Sequence, residues 1–175
     1  MATGPELGDL VGRLDGVLAV VTTASGGEQA GCLVGFHVQC SIDPPRYALW
    51  LSKANHTFRV GLHAQHFAVH FLQAGDLGLA EAFGTVSGDD TDKLAGVPWT
   101  AGPDGVPVLG QCSHRLVGRR VALLDEGSDH VCVVLEVTEI TCDGELVPLR
   151  LSDAAHLAPG HEAKDRPTPA SERAG

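Results

Sequence analysis

Gly31 to Val60 reads GCLVGFHVQCSIDPPRYALWLSKANHTFRV, and this stretch decides the fold. The apolar and β-branched run from Ala30 to Ile42 predicts a strand. Asp43-Pro44-Pro45 ends it, because proline has no N–H to give to a ladder. Tyr47 to Ser52 predicts the next strand, and Thr57 to Ala64 a short helix. Alternation along the first strand places Cys32, Val34, Phe36, Val38 and Cys40 on one face, expected to be core, and Leu33, Gly35, His37, Gln39 and Ser41 on the other. That second face begins apolar and ends polar. Such a surface suits packing on an aromatic ring system at one point and hydrogen-bonding a polar edge at another.

Outward from this stretch the punctuation is similar. Gly16 to Thr23 predicts a strand, and Ala24 to Gly27 a hairpin turn. Phe67 to Leu72 predicts another strand, and Asp76 to Phe83 a short helix with Asp76 near its start. Thr85 to Gly110 is rich in glycine, proline and aspartate, an excursion long enough to be functional. Cys112 to Leu124, His130 to Thr141 and Leu146 to Leu149 complete a strand-dominated second half. Short strands, few helices and no repeated βαβ unit indicate a mainly β chain, an antiparallel barrel whose closure removes exposed edges.

The 175 residues, 43% hydrophobic and 19% charged, fit one folded domain, expected over residues 1–158. After Pro159 the tail is polar with almost nothing to bury, so residues 159–175 are expected to be disordered. The net charge of −10, from 22 acidic and 12 basic residues, argues against nucleic acid and anionic membrane surfaces as partners. A local cationic pocket can still hold one phosphate. The five cysteines show no CxxC spacing, which indicates neither a disulfide framework nor a zinc knuckle; they read as small apolar fillers. Without a signal-like N-terminus or an apolar run of roughly 18 to 20 residues, a cytoplasmic location is expected.

Ser52-Lys53-Ala54-Asn55-His56-Thr57 links a strand to a helix and gathers hydroxyls, an amide and an ammonium group near free backbone N–H groups. It reads as a phosphate site. The plainer alternative is that Thr57 caps the helix while Ser52, Lys53 and Asn55 make a solvated turn. Arg59 either reaches the phosphate or points to water. His63, His66 and His70 have spacings that would share one face of a continuous helix. Phe67 to Leu72 alternates like a strand and breaks that face, so no metal site is expected. Trp99 is a candidate for a pocket wall, a dimer contact or core, and Asp92 and Lys93 read as a solvated pair.

Together with FAVHFL (Phe67 to Leu72), DKLAGVPW (Asp92 to Trp99), GVPVL (Gly105 to Leu109) and SDHVCVVLEV (Ser128 to Val137), the opening stretch resembles the flavin reductase-like family. The order and separation of these pieces carry the resemblance, over roughly Gly16 to Ile140. It implies an FMN-binding split β-barrel, a homodimer with flavin at the subunit boundary. It also implies an oxidoreductase in which NADH or NADPH reduces bound FMN, or FAD. Such a protein can be the reductase component that serves a partner monooxygenase. On this resemblance His37, Gln39 and Ser41 lie along the flavin. Ser52, Lys53, Asn55, His56 and Thr57 surround its phosphate. His130 acts near flavin and nicotinamide, and His70 touches cofactor or dimer partner. Leu33, Gly35 and Gln39 stand where the family often has threonine, serine or asparagine. Leu33 and Gly35 motivate the second reading, a cofactor-binding protein on the same barrel that holds FMN, haem or a deazaflavin without efficient nicotinamide oxidation.

Overall fold

The computed structural model describes residues 6–86 and 91–157. The N-terminal helix α1 (Leu7–Leu14) leads into β1 (Ala19–Ser25), β2 (Glu28–Val34), β3 (His37–Ser41) and β4 (Arg46–Ser52). Helix α2 (His56–Gly61), β5 (His66–Phe71) and α3 (Leu77–Gly84) follow. A small hairpin of β6 (Trp99–Ala101) and β7 (Pro107–Leu109) precedes the long strands β8 (His114–Leu124) and β9 (His130–Cys142). The expected tail, 159–175, lies outside the described residues. Among those residues, no helix is long and apolar enough to cross a membrane.

Seven strands form one antiparallel sheet in the order β2-β1-β5-β8-β9-β4-β3. Closure is incomplete, contrary to the expectation that no edge remains. The edges β2 and β3 are consecutive in the chain, and Gly35-Phe36 carries the backbone across the split between them. This break also corrects the single strand expected from Ala30 to Ile42. Cys32 and Val34 are buried as core, but Phe36, Val38 and Cys40 are exposed, because the break resets the alternation. Leu146 to Leu149 is no strand either; the chain there makes two isolated bridges, Gln73 to Pro148 and Val17 to Arg150. Helix α1 was not foreseen, and none of its residues is buried.

Strand β1 explains why the chain needs two apolar layers. Its Ala19 and Val21 point into the barrel with Leu49, Leu51, Val69, Val133 and Leu135. Leu18 and Val20 pack outward against Leu79, Ala80 and Phe83 of α3, with Leu109, Leu149 and Ala154. A strand covered on both faces reads as a continuous apolar run rather than as alternation. Phe83 is the anchor of the outer layer. It sits directly on Gly31, where a Cβ would fall 2.6 Å from Phe83 Cε1, so β2 needs glycine there. Fully burying such a phenylalanine contributes about 1.5–3 kcal/mol.

Candidate functional site

Pairing of β4 with β9 sets the site. Ser52 faces His130, Trp50 faces Cys132 and Ala48 faces Val134, all on one face of the sheet by the two-residue period. Leu49, Leu51, Val131 and Val133 take the opposite face and fill the barrel. Phe36 joins the outer row at the split, where its carbonyl accepts the Trp50 N–H at 2.9 Å. Its ring lies 5.3 Å from the His130 ring, tilted by 59°. Leu124 pairs with Cys132 and extends the row across β8. The outer face therefore runs from polar Ser52 and His130 to apolar Trp50, Phe36 and Leu124.

A groove of about 340 Å³ opens along this row. Leu33, Gly35, Phe36, Trp50, Ser52, Asn55 and His130 line it, with Phe83 and Gly84 of α3 and the segment from Leu151 to Leu157 on the far side. Its volume is that of a small-molecule site, mostly apolar with a few polar groups at one end. The apolar floor is tightly made. A Cβ on Gly84 would lie 2.8 Å from Leu33 Cδ2, and one on Gly35 would lie 3.4 Å from Leu151 Cδ2. A flat aromatic system fits such a floor, and Ser52, Asn55 and His130 supply hydrogen-bonding atoms at its rim, so the residues present fit a flavin.

His130 is held by Asp129, Nδ1 to Oδ1 at 3.0 Å. The hydrogen bond from His130 holds the Asp129 carboxyl below the usual carboxylate range. The Asp129 contact at Nδ1 fixes the orientation of the imidazole beside Phe36 at the groove.

Ser52 Oγ accepts the Ala54 N–H at 3.3 Å, closing the turn into α2. Lys53 stands beside it, its Nζ 2.9 Å from Asp125 in the β8–β9 turn. His56 pairs with Glu28 at 3.0 Å, and Arg59 reaches His56 at 3.3 Å. Thr57 is turned inward and buried, its hydroxyl bonded to the Cys32 thiol. Burial pushes that thiol up, and the Thr57 hydrogen bond opposes the rise. Of the expected phosphate residues, the structure gathers Ser52, Lys53, Asn55 and His56 on one loop and sends Thr57 to the core.

The other expected positions are placed away from the groove. His37 Nε2–H donates to the Val17 carbonyl at 2.8 Å, which leaves Nδ1 to accept the Tyr47 hydroxyl proton at 2.7 Å. Burial lowers the His37 pKa and raises that of Tyr47 to about 12. Gln39 donates to the Ser41 carbonyl at the exposed end of β3, 3.2 Å away. His70 is fully buried: Nδ1–H donates to the Val20 carbonyl at 3.1 Å and Nε2 accepts the Leu109 N–H at 3.0 Å. Both nitrogens are used inside the chain, tying β7 to β5 and β1, and burial pulls the pKa of His70 to about 4. His66 pairs with Asp104 at 2.7 Å.

Smaller expectations also change. Lys93 is no solvated partner of Asp92; its Nζ donates to the Phe83 carbonyl at the end of α3, 2.8 Å away. Trp99 borders a separate depression with Gly26, Gly27 and Glu28. Cys32 and Cys112 are buried fillers, but Cys40 and Cys142 are exposed. The sequence reading missed Phe36 and Trp50 as groove residues, and also the Leu151, Ala154 and Leu157 wall. Their signals were present: Gly35 before Phe36, and leucine and alanine spaced by three after the last bridge.

A seven-stranded antiparallel barrel, split beside an apolar groove with a polar rim, defines a small-molecule-binding split barrel. The family model described as "Flavin reductase like domain" matches residues 11–154, and the chain belongs to that family. It is 35% identical over 121 residues to the FMN reductase (NADH) SmoA of Agrobacterium fabrum (strain C58 / ATCC 33970), a match that covers 69% of this chain but only 66% of that protein. The FMN-binding protein from Thermus thermophilus, solved with 1-cyclohex-2-enone, superposes with a TM-score of 0.70 at 26% identity, covering 81% of this chain and 78% of that one. Nitrilotriacetate monooxygenase component B from Mycobacterium thermoresistibile shares the fold, with a TM-score of 0.70 at 21% identity over 81% of this chain and 76% of its own.

Proposed function

We propose that this chain is an NAD(P)H-dependent flavin reductase that holds FMN in the groove at the split. The carrying observation is the meeting of Ser52, Asn55 and His130 with Phe36 and Trp50 around one groove. When bound, the flavin supplies the redox chemistry, taking a hydride from NADH or NADPH and passing electrons to a second acceptor. The chain's own part is to orient and enclose. Phe36 and Trp50 offer aromatic surface to a ring. Leu33, Phe83 and Leu151 keep the floor dry. His130, oriented by Asp129, offers its Nε2 for a hydrogen bond with the bound partner. Lys53 and Asn55 serve the phosphate end.

Phe36, Val38 and Leu124 leave an exposed apolar strip beside the groove. It supports a homodimer in which a second copy covers this strip and completes the flavin site. The fold shared with a monooxygenase component B supports service to a partner monooxygenase. NADH or NADPH oxidation is expected to accelerate when FMN is supplied, and to slow again in His130→Ala. Oxidation indifferent to FMN and FAD alike would overturn the reductase reading.

A second reading rests on the apolar pair Leu33 and Gly35 in the floor. A barrel without hydroxyl or amide groups there can hold haem or a deazaflavin as a binding protein. A stoichiometric chromophore without NAD(P)H turnover would favour it.

A further inference from the structure

Lys53 sits between the groove residues Ser52 and Asn55 in the chain, and its ammonium group is already engaged. Asp125 Oδ1 lies 2.9 Å from its Nζ and also accepts the Gly127 N–H at 2.9 Å, which pins the carboxylate in the β8–β9 turn. The same turn is tied to the lysine's backbone, because the Lys53 N–H donates to the Asp129 carbonyl at 2.9 Å. Asp129 then holds His130, a groove residue. One acidic turn thus grips both the lysine and the histidine of the site. The hydrogen bond from Lys53, aided by the Gly127 N–H, holds the Asp125 carboxyl below the usual carboxylate range, so it is an anion at neutral pH.

We propose that Asp125 is a positioning residue that sets flavin specificity, its carboxylate acting as an internal anion on Lys53 that a flavin phosphate must displace and that riboflavin need not. The proposal rests on the flavin reading above. A phosphate monoester carries a charge of about −1.5 to −2 at neutral pH. Brought to Lys53, it meets Asp125 on the same ammonium group and Asp129 a few residues on. The attraction of one lysine is then divided between two anions, and the phosphate gains little over the unphosphorylated ring and ribityl chain. Because the pair is partly exposed, salt screens the effect but does not abolish it.

Full-length protein is titrated with riboflavin and with FMN, following flavin fluorescence, for the wild type, Asp125→Asn, Asp125→Glu, Lys53→Met and the double variant Lys53→Met/Asp125→Asn. The readout is the ratio of the two dissociation constants, which a general loss of folding does not move. Asp125→Asn is expected to shift the ratio toward FMN by about fivefold or more at low salt. Asp125→Glu keeps the wild-type ratio, and in the Lys53→Met background the Asn substitution shifts it by less than about twofold. An unchanged ratio in Asp125→Asn overturns the proposal while leaving the flavin reading intact, as does an equal shift without Lys53. Failure of both flavins to bind every protein overturns the flavin reading and this proposal with it.

Discussion

The two faces of β4 and β9 carry similar residues and meet different fates. Leu49, Leu51, Val131 and Val133 on the inner face are at most 1% exposed. On the outer face, Phe36 at 54% and Leu124 at 51% remain half in water, around Trp50 and Cys132. The chain completes the first face itself, with β1, β5 and β8 closing over it. It leaves the second to be completed by a ligand and, on our proposal, a second copy. Apolar alternation therefore marks both core and site, and only the closing partner separates them.

The largest expected break of that comparison is on the inner face. Leu49→Ala is expected to lose about 2–5 kcal/mol of stability, read as a lowered midpoint in urea, because the barrel cannot collapse onto the cavity. A comparable loss is expected on acidification. The folded chain keeps His70 neutral down to about pH 4, whereas the unfolded chain takes up that proton near its ordinary value of 6.5. Its pKa is lowered by folding, so the unfolded state binds more protons in this window and stability falls as pH falls from 6.5 toward 4. The loss approaches roughly 3 kcal/mol by pH 4, with His37 acting in the same direction. Urea titrations at pH 7 and pH 4.5 check this, and His70→Gln should flatten the difference between them.

Gly31→Ala sharpens the comparison at the covering layer. Its new Cβ must displace the Phe83 ring, at an expected cost of about 1–3 kcal/mol by the same urea assay. The smallest effect on stability belongs to the outer face: Leu124→Lys is expected to change it by less than about 0.5 kcal/mol per monomer. The same substitution should halve the mass seen by light scattering if the outer strip is the dimer contact. A wild type that is monomeric at working concentration would remove that contact from the account.

The sheet was largely legible in the sequence because strand runs and their Gly and Pro boundaries are local features. Gly35 was visible too, but its consequence was not. A glycine inside an apolar run permits a break without requiring one, so Phe36 and Val38 read as core until pairing with β4 showed otherwise. Ser52, Asn55 and His130 could be singled out, and register brings Ser52 opposite His130. His37 and His70 could not be sorted from His130 by sequence. What separates them is whether groups of the chain engage both ring nitrogens, as the Val17 carbonyl and Tyr47 hydroxyl do for His37 and the Val20 carbonyl and Leu109 N–H do for His70, and those contacts span up to 50 positions in the chain. Helix α1 carries Leu7, Leu10, Val11 and Leu14 at the spacing of one helical face, a signal that was present in the sequence, yet no residue of that face is buried in the chain.

The most direct test mixes purified protein with FMN, records the flavin absorption, and adds NADH under anaerobic conditions, for the wild type beside Trp50→Ala and His70→Gln. Saturable FMN binding, bleached by NADH and weakened about tenfold or more in Trp50→Ala but far less in His70→Gln, is the expected result. No saturable binding by the wild type, or binding lost in His70→Gln and intact in Trp50→Ala, would contradict the placement of the flavin in the groove at the split.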